Sequence, residues 1–135
     1  FEAVGITPTY CIDANTRIDT IHNLVIQDNV IRGFWTGLYL PQKGGTPGEN
    51  LVVKNNMMFV TYAGIAFRLV NNTQIVGNTI IGAESGFCGI YRPYTESGDT
   101  FGLVIKDNFI KSFRYHSSWN GIIIHSLWFL KENFR

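Results

Sequence analysis

Two glutamates flank one short apolar segment of this sequence and are the residues best placed to act as an acid–base pair. Glu84 and Glu96 lie in the polar stretches on either side of "GIYRP" (89–93). If that segment is a strand, the two stretches are loops beside the same strand, and their carboxyl groups come near each other. Hydrolysis of a glycosidic bond uses two carboxyl groups about 5 to 10 Å apart. The pair suggests glycoside hydrolysis, and the alternative of two solvated loop acids stays open.

Other residues could support a different reaction. β-Elimination or epimerisation at the C5 atom of a uronate needs a base, together with cations that hold the substrate carboxylate. The further candidates are Asp13 and Asp99 for hydrolysis, and Arg68, Tyr91, Arg92, His116 and His125 for elimination. The residue types alone leave hydrolysis, elimination and a role without catalysis open.

A repeat indicates which elements carry these residues. An apolar triplet followed by Asn recurs as "NLVIQDNVI" (23–31), "NLVVKNNMM" (50–58), "NTQIVGNTI" (72–80), "GLVIKDNFI" (102–110) and, in weaker form, "LWFLKENFR" (127–135). The asparagines are Asn29, Asn56, Asn78, Asn108 and Asn133, at intervals of 27, 22, 30 and 25 residues. A second row of residues that precede an apolar segment contains Gly37, Gly64, Gly89 and Gly121. Two rows with one period predict a repeat architecture.

The composition of the repeat favours strands. Leucine-rich repeats have a similar period, but they need regular leucines and a longer return stretch, whereas each copy here holds short β-branched triplets between Asn and Gly. Three short strands per turn of ~25 residues, stacked with parallel pairing, fit the pattern. We predict an all-β parallel β-helix of about four to five coils, one segment (1–135) of a longer chain. The coils lie near 11–36, 37–63, 64–88 and 89–120, with an incomplete coil at 121–135.

The Asn and Gly rows are predicted to be structural. Alternate apolar residues of each triplet, such as Leu51 and Val53, point inward and stack on their equivalents. A sharp corner between strands needs a residue that tolerates the left-handed conformation, as Asn does. Stacked at ~4.8 Å per coil, the Asn amides can also bond to one another. The glycines allow the chain to enter the next strand at close quarters.

Units such as "NLVIQDNVIRGFWTGLYL" (23–40) and "GLVIKDNFIKSFRYHSSWNGIIIH" (102–125) resemble the repeat of the right-handed parallel β-helix proteins of the pectin-lyase-like superfamily. The resemblance extends from about residue 10 to residue 135. The family includes polysaccharide lyases, glycoside hydrolases, uronate epimerases, phage tailspikes and purely structural spikes. This chain departs from two subclasses, because it has neither the Asp-Pro-His-type element of the epimerases nor the clustered aspartates of the calcium-dependent pectate lyases.

The resemblance implies a working groove along the outer face of one sheet. Strand alternation predicts an outward row of Asp13, Tyr39, Ala66, Tyr91 and Ile123, and Arg68 and His125 follow two residues after Ala66 and Ile123. Loops are expected at 32–36, 59–63, 82–88 and 111–120, beside this row. The side chains predicted to contact substrate are Trp35, Tyr39, Tyr62, Arg68, Tyr91, Tyr94, Tyr115 and Trp119, with Phe87 among them. Aromatic rings suit sugar faces, but the same rings could cover the sheet or form a subunit interface.

Composition limits the classes of partner. The net charge of +1 gives no field for nucleic acid, and no apolar run approaches the ~18 residues of a membrane span. Cys11 and Cys88 lie three coils apart, about 14 Å at ~4.8 Å per coil, too far for a disulfide. No spacing of Cys and His suggests a metal, and no motif suggests a cofactor.

The sequence therefore predicts a carbohydrate-acting β-helix segment that binds and cleaves a polysaccharide or oligosaccharide. The alternative is a non-catalytic solenoid, such as a spike shaft or an adhesin. The predicted partners are the sugar chain, the neighbouring coils of a parent chain and, in a spike, two further copies in a homotrimer. The resemblance implies an extracellular or virion-surface location.

Overall fold

The computed structural model describes residues 1–2, 9–13, 21–40, 46–92, 100–111 and 122–124. These residues form thirteen strands: β1 (Tyr10–Asp13), β2 (Val25–Gln27), β3 (Val30–Leu40), β4 (Gly48–Glu49), β5 (Val52–Lys54), β6 (Met57–Phe67), β7 (Val70–Asn71), β8 (Gln74–Val76), β9 (Thr79–Gly82), β10 (Cys88–Arg92), β11 (Val104–Lys106), β12 (Phe109–Lys111) and β13 (Ile122–Ile124). The same part of the chain contains no helix, and so none long and apolar enough to cross a membrane.

The strands stack as a parallel β-solenoid, which confirms the predicted fold class. One sheet has the order β1-β3-β6-β10-β13, with β9 beside β6 and β12 beside β9; a second has the order β11-β8-β5-β2; and β4 pairs with β7. All these pairs are parallel, and each joins a strand to its equivalent one repeat away, as Val25 pairs with Val52 and Val52 with Gln74. The described residues complete about three turns, slightly fewer than the predicted coil count.

The predicted loops at 32–36 and 59–63 are wrong, because both stretches lie inside 11-residue strands. β3 and β6 run through the corner between two faces of the solenoid without a break in pairing. The bend is accommodated by register shifts on either side of Phe34 and by Gly33, whose φ of 79° few other residues adopt. In the next coil β9 and β10 are separate strands, and a turn occupies residues 84–85.

The core consists of apolar ladders that run along the solenoid axis. Ile31, Met58 and Ile80 are stacked in register and have no exposed surface. The other inward rows behave alike: Ile26, Val53, Ile75 and Ile105 form one, and Leu38, Ile65 and Ile90 form another. Since each inward residue covers its equivalent on the next coil, burial needs only one medium-sized apolar side chain per coil at each position.

A ladder of asparagine side chains runs through one corner of the solenoid. The Oδ1 atom of Asn78 accepts hydrogen bonds from the backbone N (3.0 Å) and the Nδ2 (3.0 Å) of Asn56, and Asn108 does the same for Asn78 at 2.9 Å from each nitrogen. Asn29 donates to Asn56 in the same way. The Nδ2 atoms of Asn56, Asn78 and Asn108 also donate to a carbonyl of the preceding coil, such as the Val53 oxygen for Asn78 (3.0 Å). The Nδ2 of Asn29 donates to the Gln27 carbonyl of its own coil (2.8 Å). The amide ladder expected from the repeat is therefore present.

The ladder asparagines do not adopt the left-handed conformation, and that expectation is wrong. The residues with positive φ immediately precede them: Asp28 (58°), Asn55 (53°), Gly77 (66°) and Asp107 (55°). A second left-handed row starts each triplet: Asn23 (57°), Asn50 (56°), Asn72 (47°) and Gly102 (63°). Each corner has two consecutive residues that tolerate the left-handed conformation. The first adopts it and makes the turn, and the side chain of the second is directed along the ladder.

Three of the predicted row of glycines are required by close packing between coils. Gly37, Gly64 and Gly89 are buried and in register. A Cβ on Gly37 would lie 2.8 Å from the Gly64 carbonyl oxygen, and one on Gly64 would lie 2.6 Å from that of Gly89. No side chain fits at these distances without backbone movement. Asn133 and Gly121, the last members of the two rows, lie outside the described residues.

Replacing Asn78 by Val should destabilise the fold, although not through backbone strain. The substitution leaves the backbone N of Asn56 and the carbonyl of Val53 without their ladder partners, and Asn78 itself is buried. We expect the free energy of unfolding to fall by roughly 2 to 4 kcal/mol, as for the loss of several buried hydrogen bonds. Chemical denaturation measures the change, with Gln74→Ala, an exposed change on β8, as the control. A change of the same small size in both variants would contradict the ladder's role.

The row of left-handed residues, one position before the ladder asparagines, predicts unequal losses of stability for two substitutions. Gly77→Val should destabilise the fold by about 1 to 3 kcal/mol, because Val is strained at positive φ and its Cβ would lie 2.7 Å from Oδ1 of Asn55. Asn55→Gly, at the equivalent position of the preceding coil, should change the free energy of unfolding by less than about 0.5 kcal/mol. Equal losses in the two variants would argue against this assignment of the turn.

Candidate functional site

One outward row of the large sheet carries the predicted site. Asp13 pairs with Tyr39, Tyr39 with Ala66, Ala66 with Tyr91, and the backbone of Tyr91 with that of Ile123. Paired residues of parallel strands project on the same side, so their side chains are spaced along the axis at ~4.8 Å per coil. Tyr39 and Tyr91 are thus two coil steps apart, roughly 9.6 Å.

The position between these two tyrosines is shielded from solvent. Ala66, which occupies it, is only 2% exposed despite its outward position. Arg68 lies nearby on the same coil, and its Cζ is 5.9 Å from the centroid of the Tyr39 ring. The attraction between a guanidinium and an aromatic face holds the guanidinium in orientation. The part of the outward row from Tyr39 to Tyr91 therefore combines a guanidinium with two phenol groups.

Tyr10 extends this cluster by one coil and was not predicted from the sequence. Its ring stacks on Tyr39 with centroids 4.9 Å apart and planes inclined by 14°. Burial, then the neighbouring Tyr39 and Asp13, raises the pKa of Tyr10, and Arg68 opposes this shift. These interactions bring Asp13, Arg68 and the two tyrosines into one electrostatic group. Strand alternation would place Tyr10 on the inward side with Ile12, so the sequence pattern gives no signal for its contact with Tyr39.

Tyr91 is the most strongly perturbed group of the site. Burial, followed by the phenols of Tyr62 and Tyr39, raises its pKa to about 12. The cause is physical proximity, since a phenolate at Tyr91 would be partly desolvated and would repel other phenolates. Tyr91 therefore keeps its hydroxyl proton, and its capacity to donate a hydrogen bond, into strongly alkaline solution.

A stack of aromatic rings borders the site along the corner of the solenoid. Trp35 and Tyr62 are stacked with centroids 4.1 Å apart, and Tyr62 and Phe87 with centroids 5.3 Å apart. Phe87 then meets Tyr91 edge to face at 5.2 Å. Trp35 is 42% exposed. The rings cover one another's faces, which leaves ring edges and the outer end of the stack as contact surface for a ligand.

The acidic candidates are spread over two places. Asp13 is exposed at the end of β1, in the same row as Tyr39. Glu84 is exposed in the turn between β9 and β10. Glu96 and Asp99 lie outside the described residues, so the distance between the two members of the glutamate pair is not part of the described geometry.

Arg92 does not lie on the outer face. It is 1% exposed, and strand alternation places it on the inward side with Ile90, opposite to Tyr91. A ligand on the outer surface could not contact a guanidinium in that position. The polar residue type and the following proline suggested a loop, whereas the strand continues to Arg92.

The remaining predicted site residues lie outside the part of the chain that the structure describes: Tyr94, Tyr115, His116, Trp119 and His125. Within that part, no three His, Cys, Asp or Glu side chains are grouped so as to hold a metal ion. Cys11 and Cys88 are free thiols.

Comparison with known proteins gives no assignment, because no family model, curated protein or solved structure matches the chain. The fold defines the class as a parallel β-solenoid. Membership of the pectin-lyase-like superfamily stays an interpretation that rests on the resemblance of the repeats.

The shifted pKa of Tyr91 predicts an alkaline loss of stability. Its folded-state value of about 12 lies above the ordinary value of 10.0, so deprotonation favours the unfolded chain. The free energy of unfolding should be unaffected by this group below about pH 10 and should fall as the pH rises towards 12. Ultraviolet titration of the phenols should show a late step that Tyr91→Phe removes. The same titration curve in the variant and the parent would contradict the assignment.

Proposed function

We propose that the face formed by Tyr10, Tyr39, Arg68 and Tyr91 binds a polysaccharide. The observation that carries the proposal is the position of Arg68, whose Cζ lies 5.9 Å from the Tyr39 ring on the row that Tyr91 continues. A guanidinium presents several N–H donors in a fixed plane, and phenol hydroxyls both donate and accept. These are the groups that recognise sugar hydroxyls and, where present, sugar carboxylates.

The periodicity of the face supports an extended ligand. The groups recur along the axis in steps of ~4.8 Å, and the row continues from Asp13 on one coil to Tyr91 three coils on. A chain molecule laid along the axis would contact several coils at once, which sums weak contacts without any deep pocket. An extracellular or virion-surface location is proposed with this function, because such polymers occur there.

Cleavage of the bound chain is a separate step of the proposal. Glu84 is an exposed acid in the turn before β10, and Glu96 follows the same strand in the sequence. Hydrolysis requires both carboxyl groups. An elimination reaction would instead depend on Arg68 as the cation against a uronate carboxylate and on Tyr91 or His125 as the proton-transfer group.

A second candidate function is that of a non-catalytic structural solenoid. The stacking of Trp35, Tyr62 and Phe87 favours it, because rings that cover one another's faces stabilise the corner and offer less surface to sugars. In that case the aromatic stack serves the fold, and the outer row has no ligand. The two candidates differ in what Arg68 does, since stacking of the other rings does not need it.

Binding to a panel of acidic and neutral polysaccharides tests the proposal. Arg68→Gln should weaken binding of the retained polymer at least several-fold, because the fixed guanidinium is lost. Lys54→Gln removes the same charge from an exposed position on β5, on another face, and should leave binding unchanged. Equal effects of the two variants would mean that binding depends on net charge and not on the position of Arg68. No binding to any polymer would favour the structural solenoid.

Product analysis on the polymer that binds separates the reactions. New reducing ends without ultraviolet absorbance of unsaturated uronates indicate hydrolysis, and Glu84→Gln should then abolish turnover. Asp28→Asn is the control, since it removes an exposed carboxylate from a distant corner where Asn tolerates the positive φ. Reducing ends with the absorbance indicate elimination. Unchanged hydrolysis by Glu84→Gln would remove this residue from the site.

A further inference from the structure

A second outward face of the solenoid is apolar and carries no residue of the proposed sugar site. It is formed by the first halves of β3 and β6 with β9 and β12, and we call it the apolar face. Its first row contains Val30, Met57, Thr79 and Phe109 in register, and its second row contains Glu2, Arg32, Phe59, Ile81 and Lys111. The rows are adjacent, so they form one flat patch.

The patch exposes large apolar side chains in one row, which Thr79 interrupts between Met57 and Phe109. Phe109 is 58% exposed, Val30 45% and Met57 41%, while Phe59 and Ile81 are half-buried beside them. Single exposed apolar residues are ordinary, but a contiguous apolar patch on a regular sheet marks an interaction surface. A sheet face of this kind packs against another flat surface at about 10 Å.

The charges at the two ends of the patch are of opposite sign. Glu2 lies on the first coil and Lys111 on the last, in the same row. Arg32 follows Glu2, and its Cζ lies 4.8 Å from the centroid of the Phe59 ring, which is at the middle of the row. Along the axis the second row therefore runs from a negative side chain through a positive, an aromatic and an aliphatic side chain to a second positive one.

We propose that the apolar face binds the same face of a second copy of this chain, with the two solenoid axes antiparallel. A two-fold axis across the sheet at the level of Phe59 places Glu2 of each copy opposite Lys111 of the other. It also places Phe59 and Met57 each opposite its own equivalent, and Arg32 opposite Ile81. The two ends of the row and its aromatic centre are thus complementary to the reversed row, as an isologous interface requires.

Other occupants fit this face less well. A parallel arrangement about a two-fold axis along the solenoid would place the apolar first row against Arg32 and Lys111, covering cations with apolar groups. An anionic polymer would meet Arg32 and Lys111 but would be repelled by Glu2, and its charged groups would lie over the apolar side chains of Val30, Met57 and Phe109. In the antiparallel arrangement Lys111 meets Glu2, and the one cation that faces an aliphatic side chain is Arg32, which lies over the Phe59 ring of its own copy.

The interface is small and predicts reversible association. Five coils, separated by four steps of ~4.8 Å, and two rows of side chains enclose on the order of 400 Å² per copy, or about 800 Å² in total, below the ~1,200 Å² of stable complexes. The dimer should therefore form at high protein concentration and dissociate on dilution. A covalent trap detects such a complex better than its elution volume does.

Cysteine crosslinking tests the geometry. Met57→Cys lies on the proposed two-fold axis, so a short bis-maleimide that spans the ~10 Å between packed sheets should join two copies. Phe109→Cys is the matched control: it is more exposed, but its equivalent on the second copy lies about four coil steps, or ~19 Å, away along the axis. The parent chain controls for Cys11 and Cys88. Crosslinking at position 57 and not at 109 is expected. Equal yields at both positions, or none at position 57, would overturn the proposal.

A charge swap tests the polarity in the Met57→Cys background. Glu2→Lys or Lys111→Glu alone places like charges across the interface and should lower the crosslinked yield several-fold. The double variant restores opposite charges and should restore the yield. Circular dichroism confirms that each exposed substitution leaves the fold intact. Failure of the double variant to recover crosslinking, while each single variant loses it, would overturn the antiparallel arrangement, and so would single variants without effect.

Discussion

The hydrogen-bonded ladder of asparagine side chains is the constraint on which the rest of this structure depends. A carboxamide carries both a donor and an acceptor, so one residue type repeated once per coil can bond upward and downward without limit. Asn56 and Asn78 do so, Asn29 and Asn108 bond to them from the two ends, and each of the four also donates to a backbone carbonyl. A register error of one residue on any coil would break these bonds and turn every apolar side chain of that coil outward. The ladder therefore fixes the register for all the outward rows.

Regular register explains why the outer faces differ in chemistry. The interior is filled mainly by apolar ladders and the asparagine ladder, whereas each outward row is free to vary from coil to coil without changing the fold. One face collects phenols and an arginine around Ala66, and the adjoining face collects Val30, Met57, Phe59 and Phe109. The stack of Trp35, Tyr62 and Phe87 lies where the two faces meet and stiffens that corner. A rigid rod with distinct faces can serve one ligand and one protein partner at once.

The repeat predicted the fold and the inward rows because burial and spacing act on every copy alike. The left-handed turn was assigned one residue too late, since Asp28–Asn29 and Asn55–Asn56 each pair two residues that tolerate it; only Gly77, before Asn78, indicates which one turns. The strands through 32–36 and 59–63 were taken for loops because Gly33 and the register shifts interrupt the alternation. Arg92 could have been placed inward by counting from Ile90. The contacts of Arg68 and the pKa of Tyr91 depend on side-chain packing between coils, which spacing alone does not determine.

Hydrogen exchange of the asparagine side chains tests the account most directly. Asn56 and Asn78 are buried and bonded on both sides, whereas the Asn23–Asn50 pair, at the other end of the triplet, is exposed. In a nuclear magnetic resonance exchange experiment, the Nδ2 protons of Asn56 and Asn78 should exchange far more slowly than that of Asn50, and through-space contacts should connect the two buried carboxamides. Exchange of all these protons at the rate of a free amide, with no contact between Asn56 and Asn78, would contradict the stacked solenoid and every surface derived from its register.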